Sequence, residues 1–388
     1  MFSRQSGVFV FGGLTTIAVG RLFGLLELFI MGTALITCVI VALLLVTTQK
    51  PNIEINRIVH PIDPEAGQII QVELSLRTSS RIPACEVHEA TEEGGSVNIS
   101  LAPLPSGQVA QANYKIAPSR RGTLILGPAI VEVTDPLGLS RRVKDLGQPT
   151  EITVYPQTVD VDLPDPKTGT GELVEALKRA MRHQPTSSEF RSMREYSKGD
   201  DPRRINWKVS AKREDLVVNE YETEIAIDTL ITLDTRTHWN SAEGFERAVS
   251  VAASFARSIS HQNDEGFTKI RFNCGAHELF VTAPSEASQV LQTLAEIHMS
   301  DNSALSLTPR ESGQLKVDIM ITGNPDTQWI ETSWKQNGSA RIVVIIFCDD
   351  SPPPSNLPSH WFVLSSQQLN NFAESWNSLS SLSSEYLV

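Results

Sequence analysis

At 388 residues, with 40% hydrophobic and 20% charged residues, the chain is long enough for two or three domains. A net charge of −12 excludes a general nucleic-acid binder, whose electrostatic footprint would be basic. The four cysteines, Cys38, Cys85, Cys274 and Cys348, show no C-x-x-C pair and no metal-ligand spacing, so buried free thiols in a reducing compartment are expected.

From Gly7 to Thr48 the chain is apolar, interrupted only by Arg21 and Glu27. One helix needs about 20 residues to cross the hydrocarbon core. The run is long enough to predict two spans, over 7–20 and 25–46, joined by a hairpin at the GRLFG stretch of Gly20 to Gly24. A single span from Leu25 onward is the runner-up. A signal peptide would have a shorter apolar core and a small-residue cleavage site, so residues 1–49 are expected to be an anchor that stays in the lipid bilayer. Arg4 precedes the first span, Lys50 and Arg57 follow the second, and only Arg21 lies between. The positive-inside rule then places a multi-pass protein in the cell membrane with its soluble part in the cytoplasm.

Residues 50–158 read as an all-β unit. Ile70, Val72, Leu74 and Leu76 alternate with polar neighbours, and Ala110, Ala112, Tyr114 and Ile116 repeat the period. Pro and Gly clusters punctuate the runs, as in a β-sandwich of immunoglobulin-like architecture. Pro- and Asp-rich residues from Val159 to Gly169 read as a linker, and Leu173, Leu177, Ala180 and Met181 mark one face of a helix. This linker helix and the charged segment after it make up residues 159–224. That segment sets Arg191, Arg194, Lys198, Arg203, Arg204, Lys208, Lys212 and Arg213 around Tyr196 and Trp207, without a helical or strand period. Over 225–388, apolar strands ending at Asp234 and near Phe347 alternate with amphipathic helices, one of them through Phe245 to Ile259. A strand over Val317 to Thr322, a helical piece around Trp329 and a final helix with Leu369, Phe372 and Trp376 complete the pattern. It predicts a doubly wound α/β domain, whose ligands would bind at the carboxyl ends of the strands. The whole chain is thus read as an α+β multidomain protein.

RRG at Arg120 to Gly122, TDPLGL at Thr134 to Leu139 and REYSKGDDPRRINWKVSAKREDLVV at Arg194 to Val218 resemble the bacterial membrane proteins grouped as domain of unknown function 58. The resemblance covers Arg194, Glu195, Tyr196, Gly199, Asp200, Arg203, Arg204, Trp207, Ser210 and Ala211. It implies a two-helix anchor, a β-rich domain and a C-terminal domain similar to von Willebrand factor type A. It also implies association with a MoxR-type AAA+ ATPase in chaperone-like tasks.

A von Willebrand A domain binds a divalent cation through D-x-S-x-S, because Mg²⁺ takes about six oxygen ligands. The corresponding residues here are Asp234, Arg236 and His238, with both serines replaced. Guanidinium repels a cation and imidazole is a poor ligand for a hard one, so no metal or other cofactor is expected. Asp234 is expected instead in a buried ion pair or as a loop cap, with Arg236 as partner.

Gly199-Asp200-Asp201-Pro202 reads as a turn, and Arg203 or Arg204 is positioned to fork back onto Asp200 or Glu195. Ile205 and Trp207 alternate about Asn206, suggesting an edge strand with its indole inward. Three roles fit the segment: a staple between domains, a partner-docking surface, or an anion site. The chain holds no G-x-x-x-x-G-K-[ST] loop, no H-E-x-x-H and no G-x-S-x-G elbow. The reading is therefore a membrane-anchored, non-enzymatic protein-binding scaffold. The alternative is a metal-dependent receptor facing outward.

Overall fold

A computed structural model describes residues 4–48, 53–91, 95–135, 137–164, 169–182, 189–197, 200–202, 205–212, 215–222, 227–237, 241–261, 270–275, 277–300, 315–323, 341–350, 352–355 and 357–380. It divides into two compact units, Met1–Tyr155 and Pro156–Val388.

The first unit opens with helices α1 (Arg4–Phe23) and α2 (Leu26–Thr48), both long and apolar enough to cross a membrane. The turn between them falls at Gly24, at a positive φ of 67° that glycine adopts without steric cost. The helices approach closely at Gly32, where an added Cβ would lie 2.7 Å from the Gly13 carbonyl oxygen and 2.6 Å from Ile17 Cγ1. Small residues at such a seam let two backbones touch, which is how apolar helices pair without a hydrophobic driving force.

Strands β1 (Ile53–His60), β2 (Ile70–Thr78), β3 (Cys85–Thr91), β4 (Ser96–Leu101), β5 (Val109–Ile116), β6 (Gly122–Thr134), β7 (Arg141–Leu146) and β8 (Thr150–Val154) follow. They form two antiparallel sheets, ordered β1-β2-β5 and β4-β3-β6-β7, with β8 paired to the first half of β6. Alternation sets the layers: Ile70, Val72, Leu74 and Leu76 of β2 are buried in one core with Val87, Leu126, Val131 and Val133 of the other sheet. This core also holds an ion pair. Arg57 Nε donates to Glu89 Oε1 at 2.5 Å, and the two side chains are 3% and 0% exposed. Arg57 Nη1 donates to the Gln148 carbonyl at 2.8 Å. Burial, and then the Glu89 carboxylate, push the Tyr114 hydroxyl pKa up.

In the second unit the expected linker is docked instead. Val161 is buried, the amide of Val159 donates to Ser254 Oγ at 3.0 Å, and Trp376 Nε1 donates to the Asp162 carbonyl at 2.7 Å. Pro and Asp content marks a segment without regular backbone pairing, which side-chain donors can still pin down. Helix α3 (Glu172–Arg182) follows. A two-stranded ribbon, β9 (Glu189–Glu195) with β10 (Val217–Glu222), encloses the short helix α4 (Trp207–Ser210) in chain order.

The remaining elements are β11 (Ile227–Leu233), α5 (Ala242–Ser260), β12 (Ile270–Cys274), β13 (His277–Val281), α6 (Ala287–Glu296), β14 (Leu315–Thr322), β15 (Arg341–Phe347), β16 (Phe362–Ser365) and α7 (Leu369–Ser380). Among the described residues the sheet order is β13-β12-β11-β14-β15-β16, parallel except for β13. Ile231, Leu233, Ile319, Ile321, Val344 and Ile346 point to one face and share a core with α3, α5, α6 and α7. Met320, Val343, Ile345 and Phe347 point to the other, with Trp361. The chain leaves β11 for β12 on one side and returns to β14 on the other, so the strand order reverses between β11 and β14. The expected helical piece around Trp329 and residues His238, Gly199, Arg203 and Arg204 lie outside the described residues.

Candidate functional site

In an open parallel sheet the crevice at the reversal of strand order, at the carboxyl ends, is where ligands bind. Asp234 stands there, directly after β11 and 1% exposed, its amide held by the Ile321 carbonyl of β14 at 2.9 Å. Its carboxylate is taken up locally. Arg236 donates from Nε to Oδ1 at 2.9 Å and from Nη2 to Oδ2 at 2.8 Å, a bidentate fork. Thr322 Oγ1, at the end of β14, donates to Oδ2 at 2.9 Å. The expected pairing of Asp234 with Arg236 is present, and Thr322 completes it from a neighbouring strand.

These donors do not fit a divalent cation. A metal at this carboxylate would have to displace a guanidinium and sit beside it, and like charges at contact repel. Among the described residues no group of three or more His, Cys, Asp or Glu side chains is placed to hold a metal ion.

A second arginine works at the end of β15. Arg247 of α5 donates from Nε to the Cys348 carbonyl at 2.9 Å and from Nη2 to Asp350 Oδ1 at 2.8 Å. Asp349, fully buried, accepts from the Asp350 amide at 2.9 Å and lies over the start of α5, where an added Cβ on Gly244 would approach Oδ1 to 3.1 Å. The helix N-terminus favours a carboxylate there. Ser241 caps the same helix, its Oγ accepting from the Gly244 amide at 2.9 Å. Sequence reasoning missed Arg247, Asp349 and Asp350; the Asp-Asp pair just past an apolar strand was the available signal. Cys274 and Cys348, at the ends of β12 and β15, are buried, and burial pushes both thiols up to about 12, leaving them protonated at neutral pH.

The signature segment is held together by its own polar residues. Arg194 of β9 forks onto Asp200, Nη1 to Oδ2 and Nη2 to Oδ1, both at 2.7 Å, and the Ser197 amide donates to Oδ2 at 2.8 Å. The turn is therefore clamped by the arginine before it; the expected fork from Arg203 or Arg204 lies outside the described residues. Tyr196, half-buried, continues the ribbon by donating its amide to the Leu216 carbonyl at 2.8 Å, while Glu195 is exposed and pairs in register with Val217. Ile205 bridges Val218, and the Asn206 side chain caps α4 by accepting from the Val209 amide at 3.1 Å. Ser210 Oγ accepts from the Val217 amide at 2.9 Å, and Ala211 ends the helix.

Trp207 departs from expectation. Asn206 starts a helix, so the I-N-W alternation does not continue as a strand, and the indole is 65% exposed. Met193 and Leu216 of the same block are also exposed, at 45% and 42%.

The Arg194 guanidinium, with the Ser197 amide, pulls the Asp200 carboxyl down to about 2. A depressed pKa means the clamp's contribution is present above the unfolded carboxyl's value, about 3.9, and is lost as pH falls through about 2. Carbon-detected NMR titration should place Asp200 near that value. Arg194→Gln should return it toward the ordinary range; an unchanged midpoint would remove the clamp.

Fold and site together define an α+β chain with two apolar helices, a two-sheet β-unit and a mostly parallel sheet whose strand ends are closed by arginine–aspartate pairs. Comparison with known proteins matches residues 192–326 to the family described as "Protein of unknown function DUF58". The uncharacterized protein YeaD of Bacillus subtilis (strain 168) is 35% identical over 77 residues, covering 20% of this chain and 18% of YeaD. The chain thus aligns with under a fifth of that relative's length. Among solved structures, the CARDB domain of the PF1109 protein from Pyrococcus furiosus is 12% identical, covering 27% of this chain and 93% of that one at a TM-score of 0.19. The sporulation control protein Spo0M from Bacillus subtilis is 10% identical, covering 36% and 58% at a TM-score of 0.16.

Proposed function

We propose that the chain is a membrane-anchored, non-enzymatic scaffold that binds a protein partner through the signature block. The observation that carries this reading is the outward Trp207. Arg194 pairs with Asp200, and the Asn206 and Ser210 side chains accept from the Val209 and Val217 amides, so the polar residues around the tryptophan are engaged within the segment, while Trp207 itself is turned outward. Exposed tryptophans on a pre-ordered surface are the residues that anchor protein interfaces. The C-terminal unit is a degenerate von Willebrand A-like module on this reading, its cation site replaced by the Asp234–Arg236 pair. The two apolar helices span the cell membrane, with the soluble units in the cytoplasm. The partner is a MoxR-type AAA+ ATPase, and the chain tethers it to the membrane or presents clients to it. The Arg236 fork disfavours the metal-dependent receptor. Affinity purification of the tagged full chain from native membranes tests the reading: an AAA+ ATPase should co-purify stoichiometrically, and recovery of the chain without one would reject the partnership.

A further inference from the structure

The TDPLGL motif sits where the β-unit meets the apolar helices. In the hairpin between β6 and β7, Leu139 is fully buried against Val39 and Ala42 of α2, with Val10 of α1 packed beside them. A side chain added at Gly138 would meet Gln5 Oε1 of α1 at 3.0 Å, and Arg142 Nη1 donates to the Thr47 carbonyl at 3.3 Å. Val39 and Ala42 lie well inside α2, which ends at Thr48. At about 1.5 Å of rise per residue they are roughly 9–14 Å short of its end. If α2 crosses a bilayer, its end marks the surface and the hairpin tip lies below it.

The tip is chemically suited to that depth. Backbone polar groups away from water must be satisfied within the protein. The amides of Leu137 and Ser140 donate to the Asp135 carboxylate at 2.9 and 2.5 Å, the Gly138 amide donates to the Asp135 carbonyl at 2.9 Å, and the Asp135 amide donates to the Ser140 carbonyl at 3.1 Å. Asp135 itself is only 6% exposed. Among the described residues of the tip the outward one is apolar: Leu137 is 59% exposed, like Leu44 and Leu45 of α2 at 57% and 47%. Arg141 and Arg142 begin β7 directly after the tip, Arg141 beside Glu132 at 3.6 Å and Arg142 on the Thr47 carbonyl, a level at which long cationic side chains also suit the lipid headgroups.

We propose that the β6–β7 tip is inserted in the bilayer, with Leu137 at the acyl-chain boundary. It forms a second membrane contact that holds the β-unit against the surface. The proposal rests on the anchoring reading above, and the experiment separates the two. The full chain carrying Cys38→Ala is reconstituted in phosphatidylcholine–phosphatidylglycerol vesicles containing doxyl-labelled lipid. Cys85, Cys274 and Cys348 are buried and stay unlabelled in the folded chain. A maleimide fluorophore is then placed at Leu45→Cys, Leu137→Cys or Ile62→Cys. Ile62 follows the far end of β1 and is 81% exposed. The expected result is strong quenching at positions 45 and 137 and none at 62. Quenching at 45 without quenching at 137 overturns the insertion and leaves the anchor intact. Absence of quenching at 45 removes both.

Discussion

Arg236→Ala should destabilise the second unit by about 3 kcal/mol, because removing one partner strands a buried charge. Asp234 is 1% exposed and would lose the bidentate fork, while the Thr322 hydroxyl at 2.9 Å and the residue 236 amide at 3.2 Å stay in place. The Arg236 side chain is 26% exposed, so the reverse change is milder: Asp234→Ala leaves a guanidinium that water reaches in part. The double replacement should therefore cost less than Arg236→Ala alone. Denaturant unfolding of the three variants measures this as a coupling energy. Equal, additive losses would mean that the fork carries no interaction energy. The same pair accounts for the expected failure of Mg²⁺ to bind at Asp234, and calorimetry showing micromolar binding lost in Asp234→Ala would contradict it.

A second large effect is expected in the β-unit. Glu89→Ala removes the partner of an arginine that is 3% exposed, beside a core made mostly of aliphatic side chains. The cost should be about 3–5 kcal/mol, enough to lower the melting point of a domain of this size by more than about 10 °C. Replacing both partners, as Arg57→Met with Glu89→Leu, should recover most of the loss, since well-packed apolar residues often match or exceed a buried ion pair. Scanning calorimetry of the full chain in detergent reads the transition of the first unit. If the double replacement proves as destabilising as Glu89→Ala, the ion pair is not the source of the effect.

What could be read from the sequence follows the range of the interactions. The alternation of Ile70, Val72, Leu74 and Leu76 is local and marks both a strand and its buried face. Asp234 and Arg236 are two residues apart, so their pairing was legible as well. Thr322, which joins the same carboxylate, is 88 positions away, and Glu89 is 32 from Arg57; only strand pairing brings these together. Arg203 and Arg204 read as a clamp on Asp200 because they adjoin the turn, and both lie outside the described residues. Arg194, which does hold Asp200, stands six residues before it on β9, outside the turn and its immediate neighbours. Trp207 shows competition between two local signals. Its alternation with Ile205 suggests a strand, whereas Asn206 is a good helix cap, and the cap prevails because Asn206 can satisfy the Val209 amide while its own amide pairs with the Val217 carbonyl.

The proposed role depends most on Trp207 acting as a partner's anchor. Quantitative affinity purification from native membranes, comparing the wild-type chain with Trp207→Ala, tests it directly. The side chain is 65% exposed and lies at the start of a four-residue helix, so the melting point should be unchanged. The account predicts at least a tenfold loss of the co-purifying AAA+ ATPase, corresponding to a hot-spot residue worth at least about 1.4 kcal/mol. Full retention of that partner by Trp207→Ala, at equal chain recovery, would contradict the assignment of the signature block as the docking surface.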